Sequence, residues 1–152
     1  MNVTIETDAR RDGGTAGQIR SLALITSQAF SIPNFRGELV TALRSEGIRV
    51  LALAPDYDDA TRSAVRALGA EPVDFRLSRV GLSPVGDLRA VLDLTRILRQ
   101  RRVDACFCYF IKPVIYGNWA GRLAGVRSRF SMIEGAGYVF DASAPLPVGR
   151  RL

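Results

Sequence analysis

From residue 20 onward the chain alternates between short, mainly apolar runs and longer segments whose apolar residues recur every three or four positions. The strand-like runs are LALIT (22–26), IRVLALAP (48–55), VDACFCYFI (103–111), SRFSMIE (128–134) and, more weakly, EPVDFRL (71–77). A run of that length with no polar alternation predicts a strand buried on both faces. Between them, NFRGELVTALRSEG (34–47) predicts a helix with Phe35, Leu39, Ala42 and Leu43 inward, Asn34 as its N-cap and Gly47 as its stop. DDATRSAVRALG (58–69) predicts a second helix. SPVGDLRAVLDLTRILRQRR (83–102) predicts a third, opened by Ser83 and Pro84, with Val85, Leu88, Val91, Leu92, Thr95 and Leu98 inward. PVIYGNWAGRLAG (113–125) predicts a fourth, with Pro113 as its first residue.

Strands and amphipathic helices in strict alternation imply an α/β domain, a Rossmann-like parallel sheet with helices on both faces. Residues 1–19 are polar, contain glycine and lack periodicity, and read as a flexible lead-in. The domain proper spans 20–141, and 142–152 is loop-like.

Composition narrows the function classes. The 152 residues suit one domain. The longest apolar run, ACFCYFI, is far below the roughly 18–20 residues of a membrane span. No leader-like start is present, which favours a cytoplasmic address. Cys106 and Cys108 are two apart on one strand, poorly placed for a disulfide. With no histidine in the chain, no metal set is expected, and the thiols read as buried and inert. The net charge of +6 is concentrated in the second half, where residues 77–152 hold twelve Arg and Lys against five acids. Such a surface suits phosphorylated ligands or an anionic membrane. Nucleic acid is not expected, because the arginines are scattered and no zinc-finger, RRM or KH signature appears.

Open α/β sheets bind ligands beyond the carboxyl ends of their strands. Four segments fall there: TSQAFSIPNFR (26–36), APDYDD (54–59), FIKP (110–113) and EGAGYVF (134–140). The third holds Lys112, the only lysine of the chain, just ahead of a helix start that would add its own pull on phosphate. The alternative is a solvated loop lysine. EGAGYVF has Gly135 and Gly137 but lacks the third glycine of a dinucleotide fingerprint, and it follows the fifth strand rather than the first. Gly117 and Gly121 form a G-xxx-G pair. On a short helix carrying Arg122 this predicts close helix-to-sheet packing rather than a membrane dimer. No nucleophile elbow, Walker A motif or Ser/His/Asp set is present.

NFRGELVTALRSEGIRVLALAP, then YFIKPVIYGNWAGRLAGV, then EGAGYVF resemble, in order and spacing, the amino-terminal half of family 4 glycosyltransferases, most of all the bacterial branch that builds capsule, O-antigen and exopolysaccharide. The likeness covers about residues 21–140. It implies one half of a GT-B architecture, with this half binding the acceptor, often a polyprenyl-diphosphate-linked sugar at the inner face of the membrane. It also implies a separate carboxyl-terminal half that holds a nucleotide sugar as donor, with no other cofactor and no metal. Residues 142–152 would then begin the segment leading to that donor half. This chain, as a piece of a longer enzyme, would be inactive alone. The acceptor rim carried over by position is Asn34, Phe35, Arg36, Lys112, Glu134, Gly135, Gly137 and Tyr138. The family's own E-x7-E motif lies in the donor half, so Glu38 and Glu46 receive no such role. Two other functions remain open: a non-catalytic interaction module, and a nucleotide- or NAD-binding Rossmann domain with Asp56 as the ribose-binding acid.

Overall fold

The computed structural model describes residues 17–77 and 84–134. Most of the expected lead-in, Ser83 and the whole of 135–152 lie outside the described residues. Five strands form one sheet: β1 (Ser21–Ile25), β2 (Arg49–Ala54), β3 (Glu71–Asp74), β4 (Ala105–Tyr109) and β5 (Ser128–Met132). Four helices connect them: α1 (Ser31–Ser45), α2 (Asp59–Ala67), α3 (Pro84–Gln100) and α4 (Ile111–Ala124). All neighbouring strands are parallel, in the order β3-β2-β1-β4-β5. The expected Rossmann-like sheet is therefore present.

Alternation along the strands divides the core in two. Leu22, Leu24, Val50, Ala52 and Tyr109 meet Ile32 and Val40 of α1 and Val65 of α2. Ala23, Ile25, Leu51, Leu53, Cys106 and Cys108 meet Leu94 and Leu98 of α3 and Ala120 of α4. The chain leaves β1 toward β2 on one side and returns to β4 on the other, so β1 and β4 flank the point where strand order reverses. In such sheets that crevice is the ligand position.

The two cysteines are free and buried, as their shared strand face requires. Cys108 donates toward Cys106, and that bond together with burial pushes the Cys108 thiol up. Gly117 sits directly above it. A Cβ there would lie 2.5 Å from Cys108 Sγ. The G-xxx-G pair is thus a close-packing device between α4 and the sheet. Gly125, at φ +77°, ends α4 in the left-handed region.

Three expectations need correction. Helix α1 begins at Ser31, not Asn34, and α4 at Ile111, not Pro113. In both, proline is the third helical residue. The first four N–H groups of a helix have no internal partner, so proline marks the first turn rather than the first position. Asn34 does not cap α1; its Nδ2 donates back to the Phe30 carbonyl at 2.7 Å. Consequently α1 is rotated, burying Ile32 and Val40 and leaving Phe35, Leu39 and Ala42 exposed. In α3 the buried side is Ala90, Leu94, Thr95 and Leu98, whereas Val85, Leu88 and Leu92 face outward. Finally, β3 and β5 stop at Asp74 and Met132, short of the apolar runs that suggested them.

At the amino end of the sheet, Asp104 latches β4 to β1. Its Oδ2 accepts from the N–H of Arg20 (3.0 Å), the N–H of Ser21 (2.9 Å) and the Ser21 hydroxyl (2.9 Å). Partial burial works to raise this carboxyl, but those donors and the Arg127 charge outweigh it and hold it below the usual range. A depressed carboxylate stabilises the fold above its unfolded pKa, and that contribution disappears as pH falls through the folded value. Asp104→Ala is expected to cost about 1–2 kcal/mol at neutral pH. The gap from wild type should close in acid below the ordinary aspartate range. Urea titrations across that pH range measure both.

Candidate functional site

The crevice between β1 and β4 is built on a hydroxyl chain. Thr26, Ser31 and Tyr109 are all buried. Tyr109 Oη lies 2.8 Å from Ser31 Oγ, which donates to the Gln28 carbonyl at 2.6 Å and lies 3.2 Å from Thr26 Oγ1. Burial pushes the Tyr109 hydroxyl up, while the Ser31 and Thr26 hydroxyls and the Arg36 charge draw it back. The group stays a neutral phenol and serves as a fixed strut. It fixes the turn 26–31 on the end of β4 and so sets where α1 begins. The Asp56 carboxylate, after β2, accepts from the Ala29 N–H at 2.7 Å and ties the second rim segment to the first.

Arg36 stands above this strut. Its guanidinium carbon is 4.9 Å from the centre of the Tyr109 ring, a cation–π arrangement. The same group forms an ion pair with Glu134, at the carboxyl end of β5. Nη2 reaches Met132 Sδ at 3.9 Å, and Nη1 donates to the Phe35 carbonyl at 2.9 Å. Its Nε is buried with no hydrogen-bond partner among the described residues. An arginine held on an aromatic floor with a carboxylate alongside can bind an oxygen-rich ligand through charge-assisted bonds.

The expected rim residues separate into groups. Arg36 and Glu134 meet. Phe35 is 61% exposed next to them, edge-on to Phe30 at 6.1 Å. Asn34 is exposed on the same turn. Gly135, Gly137 and Tyr138 lie outside the described residues. Lys112 belongs elsewhere: as the second residue of α4, its Nζ lies 3.8 Å from Asp87 Oδ1 in the first turn of α3. Asp87 also accepts from Tyr116 and pushes that phenol up, behind the larger effect of desolvation. The lone lysine joins two helices instead of meeting Arg36.

Sequence reading did not single out Thr26, Ser31 and Tyr109. Each sits at a strand end or in the following turn, a legible position, but their mutual contact spans 78 residues and is a tertiary fact. Phe110 was also missed. It precedes α4 with φ 68° and ψ 154°, a backbone conformation that side chains other than glycine rarely adopt. Its ring packs 5.1 Å from Tyr109. Among the described residues no group of three or more His, Cys, Asp or Glu side chains is placed to hold a metal ion.

Comparison with known proteins decides the family, since the model of the glycosyl transferase 4-like domain matches residues 34–151. The chain belongs to this family. Over 116 residues it is 26% identical to the N,N'-diacetylbacillosaminyl-diphospho-undecaprenol alpha-1,3-N-acetylgalactosaminyltransferase of Campylobacter jejuni, covering 76% of this chain and 30% of that protein. The glycosyl transferase 4-like chain thus spans less than a third of that relative's length. Among solved structures it resembles Acinetobacter baumannii MurG, with TM-score 0.56, 20% identity, and coverage of 74% of this chain and 34% of that one. The lipopolysaccharide outer core galactosyltransferase WaaB is similar too, with TM-score 0.57, 17% identity, and coverage of 74% and 33%. At such identities the likeness concerns the fold, which is a Rossmann-like half of the GT-B architecture.

Proposed function

We propose that this glycosyl transferase 4-like domain is the acceptor-binding half of a nucleotide-sugar-dependent glycosyltransferase in cell-surface polysaccharide synthesis, working at the cytoplasmic face of the membrane. The observation that carries the proposal is the likeness to a relative named for transfer to a sugar on diphospho-undecaprenol. The acceptor would be of that class, a sugar on a polyprenyl diphosphate. Its anionic or sugar oxygens would meet Arg36, with Glu134 orienting the guanidinium, Phe35 offering a ring to a sugar face, and Asn34 a polar edge. Gly135, Gly137 and Tyr138 follow Glu134 directly in sequence and would complete the rim. Lys112, paired with Asp87, would serve a structural role.

The donor would be held by a second domain across a cleft. Transfer would pass through an oxocarbenium-like centre as the nucleoside diphosphate leaves, with the acceptor hydroxyl aligned by this half. Catalysis of that kind needs both reactants in register. The chain alone should therefore transfer no sugar from any of a panel of nucleotide sugars to polyprenyl-linked acceptors, and the same chain joined to its donor half should do so. Turnover by the chain alone would overturn the assignment. A melting shift with NADH but not with the acceptor would point instead to a dinucleotide-binding domain.

A further inference from the structure

The two helical layers differ in what they show to solvent. The outer side of α1 and α2 mixes signs, with Glu38, Asp59, Arg44 and Arg66 all exposed. Across α3 and α4, every exposed charged side chain among the described residues is an arginine: Arg89, Arg96, Arg99 and Arg122. Asp87 and Asp93 are half-buried and engaged, the first with Lys112 and the second with the Arg76 N–H at 3.1 Å. Interleaved with the arginines are exposed apolar side chains, Val85, Leu88 and Leu92 on α3 and Ile115, Trp119 and Leu123 on α4. Trp119 is 68% exposed.

The two helices present one surface. Asp87 meets Lys112 near their starts, and Arg99 donates to the Leu123 carbonyl near their ends, so they lie side by side in parallel. Beside Leu92 a concavity of about 440 Å³ is lined by Arg76, Arg89, Arg96 and Asp93, leaving an excess of positive charge. Apolar and aromatic side chains bordered by an excess of cations are what an interfacial helix presents to a bilayer. A nucleic acid would match the arginines but leave the leucines and the tryptophan unmatched.

We infer that the outer face of α3 and α4 docks on an anionic lipid bilayer, with Leu88, Leu92 and Trp119 entering the headgroup region and the arginine-lined concavity receiving lipid phosphate. The inference rests on the membrane-linked acceptor proposed above for its biological sense. Its test contains no acceptor or sugar donor, so the two can fail separately.

Trp119 is the only tryptophan of the chain and reports on this face directly. Vesicles of phosphatidylcholine with roughly one-third phosphatidylglycerol should sediment the protein and shift its tryptophan emission to the blue. Neutral phosphatidylcholine vesicles, or high salt, should largely abolish both effects. Arg89→Glu combined with Arg96→Glu should weaken vesicle binding about tenfold or more. Leu88→Gln with Leu92→Gln should do so independently, and a thermal melt checks that each variant remains folded. The inference is overturned by unchanged emission on anionic vesicles, or by charge-reversed protein that binds like wild type. Retention by duplex DNA but not by vesicles overturns it as well, as does a dimer in light scattering that buries Trp119.

Discussion

Arg36→Ala, introduced into the complete enzyme, is expected to lower kcat/KM for the acceptor roughly ten- to a hundred-fold while donor KM stays close to wild type. Charge-assisted hydrogen bonds are worth about 1.5–3 kcal/mol each, and each 1.4 kcal/mol is a factor of ten. Arg36 holds the position for such bonds. It is half-buried over the Tyr109 ring and oriented by Glu134. Arg36→Lys keeps the charge but loses the planar fork, and should recover only part of the activity. Lys112→Ala supplies the contrast. Its ammonium pairs with the largely buried Asp87, so the variant should lower the melting temperature by several degrees while leaving acceptor dependence unchanged. Steady-state kinetics with each substrate varied in turn distinguish these outcomes. An unchanged acceptor kcat/KM in Arg36→Ala would reduce Arg36 to a tie between α1 and β5.

Gly117→Val should destabilise the described core strongly, at about 3 kcal/mol, or roughly 6–12 °C in melting temperature. A Cβ at Gly117 would stand 2.5 Å from Cys108 Sγ and 3.4 Å from Ile25 Cδ1. Both neighbours are fully buried and cannot swing into solvent. Gly117→Ala is milder, because alanine's helix propensity returns about 1 kcal/mol against the clash. Gly121→Ala should be close to neutral. Its nearest atom, at 3.0 Å, is Cδ of the flexible Arg129 side chain, with Cys106 Sγ at 3.2 Å. Cys108→Ala in the Gly117→Ala background should restore much of the loss, a coupling that denaturant titration of the double-mutant cycle reads directly. Purely additive losses would place the crowding elsewhere.

The sheet was legible because burial on both faces writes itself as uninterrupted apolar runs, and LALIT, VLALAP and ACFCYFI are such runs. Helix phase was harder to read. Phe35, Leu39, Val85, Leu88 and Leu92 are spaced for burial, yet they face outward, because a helix can carry a second apolar stripe that periodicity alone does not tell from the first. The prolines shifted two helix starts, since Pro33 and Pro113 are tolerated anywhere in a first turn. At the site, the rim segments were legible from strand ends, and Arg36 and Glu134 do meet. The strut of Ser31 on Tyr109 and the diversion of Lys112 to Asp87 depend on how separate crossovers pack, which no local pattern records.

The reversal of strand order beside β1 also governs how the chain assembles during synthesis. Strands β1, β2 and β3 are joined by short successive crossovers, so they can pair as they leave the ribosome. Strand β4, which completes the other side of β1, is made some 80 residues after it, and the Asp104 latch spans a separation of 83. Contacts between such distant residues form slowly. Until then one edge of the most buried strand, SLALI, has no partner and is open to pairing with another nascent chain. The rate at which residues 105–109 reach that edge therefore sets how long the half-built domain is exposed to aggregation. Slowing translation before β4 should harm yield more than slowing it after.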